Sequence, residues 1–199
     1  MRIIAGRLRG KKLKSPKGLV TRPVLARVRE ALFNILGDIE GARFLDLYAG
    51  TGAIGIEAIS RGAEAVTFVE RGATQCRIIR ENLGAEADNT VVIRSDASRV
   101  LNRLAKDGVT FDVVFADPPY DLGLTQDTIN AVCQSNILAE AGILAVTSRR
   151  DEKLPETACF CEMVVDKRYG DTRLTFYKKT PKAHEKADND DIGQPESDR

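Results

Sequence analysis

Residues 43–62 read RFLDLYAGTGAIGIEAISRG. A short apolar run passes through Gly50, Gly52 and Gly55 straight into a segment of helical spacing that Gly62 can end. Small residues in that place let the backbone approach a ligand and let a helix start close to the strand it follows. This is half of a βαβ unit, and the rest of the chain repeats it. AVTFVE (65–70), TVVIRSD (90–96), FDVVFA (111–116) and GILAVTS (142–148) read as strands, with helical segments over 73–84, 97–106 and 122–136 between them. Upstream, Pro23 suits the first turn of a helix, and Val24, Val28, Ala31, Leu32 and Ile35 follow helical spacing to Gly37. Downstream, FCEMVVDKR and TRLTFYKK flank YGD, which predicts a hairpin. The series predicts an α/β fold: a mostly parallel sheet with helices on both faces and an antiparallel edge.

The 199 residues suit one domain with an arm and a tail. We expect a basic N-terminal arm or hairpin over 1–22, with Ile3, Ile4 and Leu13 as its apolar members. The main domain is expected over 23–179, and a disordered polar tail over 180–199. No apolar run approaches the roughly 20 residues of a membrane span, and MRIIAGRLRGKKLK lacks the apolar core of a signal peptide. Cys76, Cys133, Cys159 and Cys161 show no framework spacing, which predicts reduced thiols in the cytoplasm. Cys159 and Cys161 share a strand face, but no further Cys or His completes a cluster, so no metal is expected. The only histidine, His184, lies in the polar tail and carries no predicted role.

Charge is unevenly placed. Residues 1–30 hold ten basic residues and one acid, Glu30, while residues 181–199 hold three basic and six acidic residues. A basic arm on a mildly acidic body predicts a polyanionic partner.

In a sheet of this kind ligands bind at the carboxyl ends of the strands. The first strand ends at the glycine turn. The second ends in Glu70, which can accept both hydroxyls of a ribose, and the third in Asp96, which can accept from an adenine amine. Together these describe an adenosine site. Asp46, four residues before Gly50, favours a cationic amino-acid end over a pair of phosphates. The fourth strand runs into Asp117, Pro118, Pro119 and Tyr120. The exocyclic amine of a base is a poor nucleophile because its lone pair is delocalised into the ring. The Asp117 carboxylate and the Pro118 carbonyl can each accept one N–H of that amine, and the prolines pre-aim both. Tyr120 offers a ring for stacking.

These stretches, with RIIAGRLRGKKL, RVREALFNIL, VTFVE and YGDTRLTFYKK, give the chain a resemblance to the bacterial family of 16S rRNA guanine-N2 methyltransferases called RNA small-subunit methyltransferase D. The matching stretches span residues 2–179. The resemblance implies a Rossmann-like class I methyltransferase fold with a seven-stranded sheet. It implies S-adenosylmethionine as donor, S-adenosylhomocysteine as product and 16S rRNA in small ribosomal subunits as partner, with no membrane and no metal. A monomer is expected. The donor would be lined by Asp46, Tyr48, Ala49, Gly50, Gly52, Glu70, Arg71, Asp96, Ala97 and Asp117. The guanine would be held by Asp117, Pro118, Pro119 and Tyr120, and the RNA by Arg7, Arg9, Lys11, Lys12, Arg22 and Arg27. The chain departs from the family pattern after Arg22 and Pro23: a threonine and an acid are usual there, and Val24, Leu25 and Ala26 stand here.

The same clamp serves DNA adenine-N6 methyltransferases and protein-glutamine methyltransferases. A non-enzymatic RNA-binding module would keep the arm and need none of the strand-end acids.

Overall fold

The computed structural model describes residues 1–16 and 23–180, so Arg22, His184 and the tail beyond Thr180 lie outside the described residues. One sheet has the strand order β3-β2-β1-β4-β5-β8-β7-β6. Its strands are β1 (Arg43–Leu47), β2 (Ala65–Glu70), β3 (Thr90–Arg94), β4 (Phe111–Ala116), β5 (Leu138–Arg149), β6 (Thr157–Ala158), β7 (Cys161–Tyr169) and β8 (Thr172–Lys179). Strands β1 to β5 pair in parallel, and β8 enters antiparallel between β5 and β7. Seven long strands are present, and the two-residue β6 extends the far edge by pairing with β7. The fifth strand is longer than the sequence pattern predicts, because Leu138 already pairs with Phe111 before a register irregularity.

The helices are α1 (Pro23–Leu36), α2 (Ala53–Ser60), α3 (Ala73–Leu83), α4 (Ala97–Lys106) and α5 (Leu124–Gln134). Successive strand residues face opposite sides, so Phe44 and Leu45 enter different cores. Phe44, Phe68, Val113 and Phe115 pack against Leu32, Phe33, Ile56 and Ile79 of α1, α2 and α3. Leu45, Leu47, Val114 and Leu144 pack against Val100, Leu101, Ile129 and Val132 of α4 and α5. Both faces of the central strands are covered, which explains their near-continuous apolar runs. The order reverses between β1 and β4, and the crevice outside their carboxyl ends is where this architecture holds ligands.

Residues 1–16 are docked rather than free. The Ile3 amide donates to the Lys11 carbonyl at 3.1 Å, the Gly10 amide donates to the Ile3 carbonyl at 2.9 Å, and Arg2 bridges antiparallel to Lys12. Ile3 and Leu13 are buried and Ile4 is half-buried. The fully buried Glu57 carboxylate of α2 accepts the amides of Ile4 at 2.8 Å and Ala5 at 2.9 Å. Ser60 Oγ accepts the Leu8 amide and donates to the Ala5 carbonyl. Gly6 is required here, since a Cβ would drive into the Ser60 carbonyl. Asn82, buried on α3, accepts the Lys14 amide at 2.7 Å and donates to the carbonyls of Lys14 and of Thr51 in the glycine turn.

Candidate active site

The chain leaves β1 through Tyr48 at φ 59°, with Gly50 at 57° and Gly52 at 76°. A left-handed tyrosine costs energy and persists only where its surroundings hold it. Here the Tyr48 hydroxyl meets Thr128 Oγ1 of α5 at 2.9 Å, and the Ala49 amide donates to the Val69 carbonyl at 3.0 Å. Gly55 serves packing: a side chain there would strike the Phe68 ring, so glycine lets α2 lie on β2.

Asp46 lies behind this turn. It is 1% exposed and accepts the Gly55 amide at 2.9 Å, satisfying an otherwise unpaired donor in the first turn of α2. Burial pushes its carboxyl up to about 8 against that hydrogen bond, with Asp117 and Glu70 adding to the push. Glu70, at the end of β2, ties two turns together: Oε2 accepts the Gly50 amide at 3.0 Å and Oε1 the Gly72 amide at 2.7 Å. A carboxylate offers about four acceptor positions, so two remain for a ligand. Asp96 stands at the N-terminus of α4, is exposed, and makes no side-chain capping bond.

Asp117 is half-buried just past β4. Its Oδ1 accepts the hydroxyl of Thr147 on β5 and, at 3.4 Å, the hydroxyl of Tyr120. Burial pushes the Asp117 carboxyl up, and the Thr147 and Tyr120 bonds pull it down. Burial and the neighbouring Asp117 push the Tyr120 hydroxyl up to about 12, so it stays a donor. Pro118 is buried, Pro119 is exposed, and the Pro119 carbonyl accepts the Leu122 amide at 3.3 Å.

A cavity of about 570 Å³ opens over these strand ends. Of the residues predicted from sequence, Tyr48, Glu70, Arg71, Asp96, Ala97, Asp117 and Pro119 line it. Asp46, Ala49, Gly50, Gly52, Pro118 and Tyr120 do not line it. Asp46 is sealed beneath the turn, and the glycines shape the wall rather than form it. Sequence reading missed Gln75 and Ser98, and it missed the α5 face of Leu124, Asp127, Thr128 and Ala131. Those four follow helical spacing directly after the Asp-Pro-Pro-Tyr stretch, which is the signal that could have found them. It also missed Thr147.

The predicted RNA contacts separate. Arg7 is paired with Glu86, and Lys11 Nζ donates to the Leu83 carbonyl at 3.1 Å, so both are held against the end of α3. Lys11 is half-buried, and Arg7 remains 56% exposed beside Glu86. Arg9, Lys12 and Arg27 are exposed. The side chains of Val24 and Leu25 lie outside the described residues, and Ala26 is exposed. Among the described residues, no group of three or more His, Cys, Asp and Glu side chains suits a metal, and no helix is long and apolar enough to cross a membrane.

The family model described as conserved hypothetical protein 95 matches residues 1–178. Ribosomal RNA small subunit methyltransferase D of Escherichia coli strain K12 is 35% identical over 190 residues, covering 94% of each chain. The chain belongs to the ribosomal RNA small subunit methyltransferase D family. Among solved structures, the yhhF protein of Escherichia coli superposes with a TM-score of 0.80 at 36% identity, covering 90% of this chain and 98% of that one. The Thermus thermophilus 16S rRNA N2 G1207 methyltransferase RsmC, solved with AdoMet and guanosine, is 22% identical with a TM-score of 0.65, covering 90% of this chain and 49% of that one. At that identity it shows the fold alone. The chain has the class I methyltransferase fold, with its antiparallel edge formed by β8 and β7.

Proposed function

We propose that the chain transfers a methyl group from S-adenosylmethionine to the exocyclic N2 amine of one guanine in 16S rRNA of the small ribosomal subunit. The observation that carries this reading is the placement of Asp117, oriented by two hydroxyls, at the wall of a cavity that also holds Glu70 and Asp96. The coarser activity, rRNA methylation, is supported by the names of relatives that cover 94% and 77% of the chain.

The residues fit the donor. The cavity falls within the roughly 300–1,000 Å³ of small-molecule sites. The two spare acceptor positions of Glu70 suit ribose hydroxyls, Asp96 suits the adenine amine, and Ala97 and Leu101 supply apolar floor. Asp46 acts from behind by holding the start of α2 and hence the glycine turn. When bound, the donor supplies an electrophilic sulfonium methyl. The protein's part is positioning and polarisation. Tyr120 stacks on the splayed guanine. The second oxygen of Asp117 and the Pro118 carbonyl accept the two N–H groups, which draws the amine lone pair out of the ring. The nitrogen would take the methyl group in line as its bond to sulfur breaks, leaving S-adenosylhomocysteine, and the amine would release one proton. Preorganised acceptors of this kind favour the transition state without reorganisation at the moment of reaction.

The test is transfer of a labelled methyl group to small-subunit particles, DNA and protein side by side. Label recovered as N2-methylguanosine from 16S rRNA supports the reading. Label in DNA adenine or protein glutamine overturns it.

A further inference from the structure

The face that carries Asp117 has a second basic region that the arm does not supply. Ala116 pairs with Val146, so Thr147 stands beside Asp117 and Arg149 lies two residues further out. Because β8 runs the other way, Arg149 pairs with Thr172, which brings the β7–β8 turn up at the same face. The Arg150 amide fastens that turn by donating to the Asp171 carbonyl at 2.9 Å. Thr172 thus stands opposite Arg149, two residues beyond Thr147, whose hydroxyl donates to Asp117.

Four exposed cations lie on these two segments: Arg150 and Lys153 just past β5, and Lys167 and Arg168 near the end of β7. None of them is paired with an acid among the described residues. The nearby acids are bonded to other groups, and Asp166 is also attracted by Arg168. Asp151 pairs with Arg149 at 3.5 Å, Asp166 pairs with Arg173 at 2.6 Å, and the Glu152 carboxylate accepts the Thr125 hydroxyl at 3.2 Å. Asp171 is the exposed acid left on the turn. The docked arm lies against α2 and α3, which pack on β1, β2 and β3. This second region lies on the other side of β4.

We infer that the end of β5 and the β7–β8 turn form a phosphate-binding rim that holds the RNA strand on the opposite side of the target base from the arm. The inference rests on the reading of the chain as an RNA methyltransferase. A base splayed out of a folded RNA needs its backbone fixed on both flanks, or the amine is not held in line with the donor. Phosphate contacts position without reading sequence, which suits cations on exposed turns. Such contacts release counterions, so each one lost takes about 0.7–0.9 off the salt slope of binding.

The test uses the full chain with Arg150, Lys153, Lys167 and Arg168 all changed to glutamine. These side chains are exposed, so folding and donor affinity should match the parent. Methylation of small-subunit particles over a range of salt should show KM raised about tenfold or more, with a shallower salt dependence and turnover at saturation nearly kept. Asp171→Asn should move KM the opposite way, a gain that misfolding cannot produce. A quadruple variant with the parent's KM and slope overturns the rim and leaves the function standing. A parent that transfers no methyl group to RNA overturns the function, and the rim with it.

Discussion

Thr147 on β5 and Tyr120 beyond β4 both donate their hydroxyls to the same oxygen of Asp117, Oδ1. That leaves Oδ2 free for a substrate N–H and fixes the plane in which it is presented. The carboxylate therefore reaches the substrate already oriented, and its orientation depends on a strand remote in sequence.

Thr147→Val should lower turnover about tenfold or more, the scale of losing a hydrogen bond to a charged group, while Thr147→Ser should restore most of it. The pH profile separates orientation from simple packing. Activity needs Asp117 ionised, and burial already pushes its carboxyl above the ordinary range. The rate should fall as pH drops through that raised value. Losing the Thr147 bond, which pulls it down, should shift the acid limb to higher pH. Asp46 on β1 and Tyr120 are the titratable neighbours coupled to Asp117. Asp46→Asn should leave a limb in place if Asp117 is its source.

Tyr120→Ala should remove a stacking platform worth about 1–3 kcal/mol per base, so saturating RNA should partly rescue it. Tyr120→Phe keeps the ring and loses only a 3.4 Å hydrogen bond, so its turnover should fall a few-fold at most. Steady-state rates at varied particle concentration check both. Equal failure of the two variants would count against stacking.

Much of this site was legible in the chain because it depends on local pattern. Short apolar runs that lead to Glu70, Asp96 and Asp117 mark strand ends, and glycine spacing marks the turn beside them. What was not legible depends on pairing across the fold. Thr147 reads as one β-branched residue of a strand, and only the parallel pairing of β5 with β4 brings its hydroxyl to a carboxylate 30 positions away. Glu57 carries no signal of burial in the local sequence pattern. Its burial follows from the arm folding back across 52 and 53 positions to give it two amides. The same docking brings Arg7 to Glu86 and Lys11 to the Leu83 carbonyl, contacts that charge counting along the chain does not reveal.

Glu70→Gln should weaken donor binding and loosen the glycine turn together. The amide side chain has only one acceptor oxygen for the Gly50 and Gly72 N–H groups, and each bond to the carboxylate is worth roughly 1.5–3 kcal/mol. Calorimetric titration with the donor and thermal unfolding of the same variant should both respond. Unchanged donor affinity would make Glu70 a purely structural tie.

Asp46→Asn should flatten the pH dependence of stability. In the unfolded chain the carboxyl titrates near 3.8, and in the fold it is pushed up to about 8. The folded state therefore holds the proton longer. The contribution is fully present below pH 4 and is lost as pH rises towards about 8, at up to ~1.4 kcal/mol per unit. Asparagine keeps an acceptor for the Gly55 amide and removes the titration. Denaturant unfolding at pH 5, 7 and 9 should show the parent losing stability across that range relative to the variant. Parallel curves would contradict the buried, neutral Asp46.

The most direct test of the central claim is nucleoside mass spectrometry of 16S rRNA from a strain lacking this chain, complemented with the parent or with Asp117→Ala. The account predicts that one N2-methylguanosine disappears on deletion and returns with the parent. It should stay absent, or nearly so, with Asp117→Ala, although that protein folds and binds the donor. Turnover in vitro should fall roughly 10²–10³-fold, as for removing one preorganised transition-state group. Full restoration of the modification at the parent's rate by Asp117→Ala, or rRNA unchanged by the deletion, would contradict it.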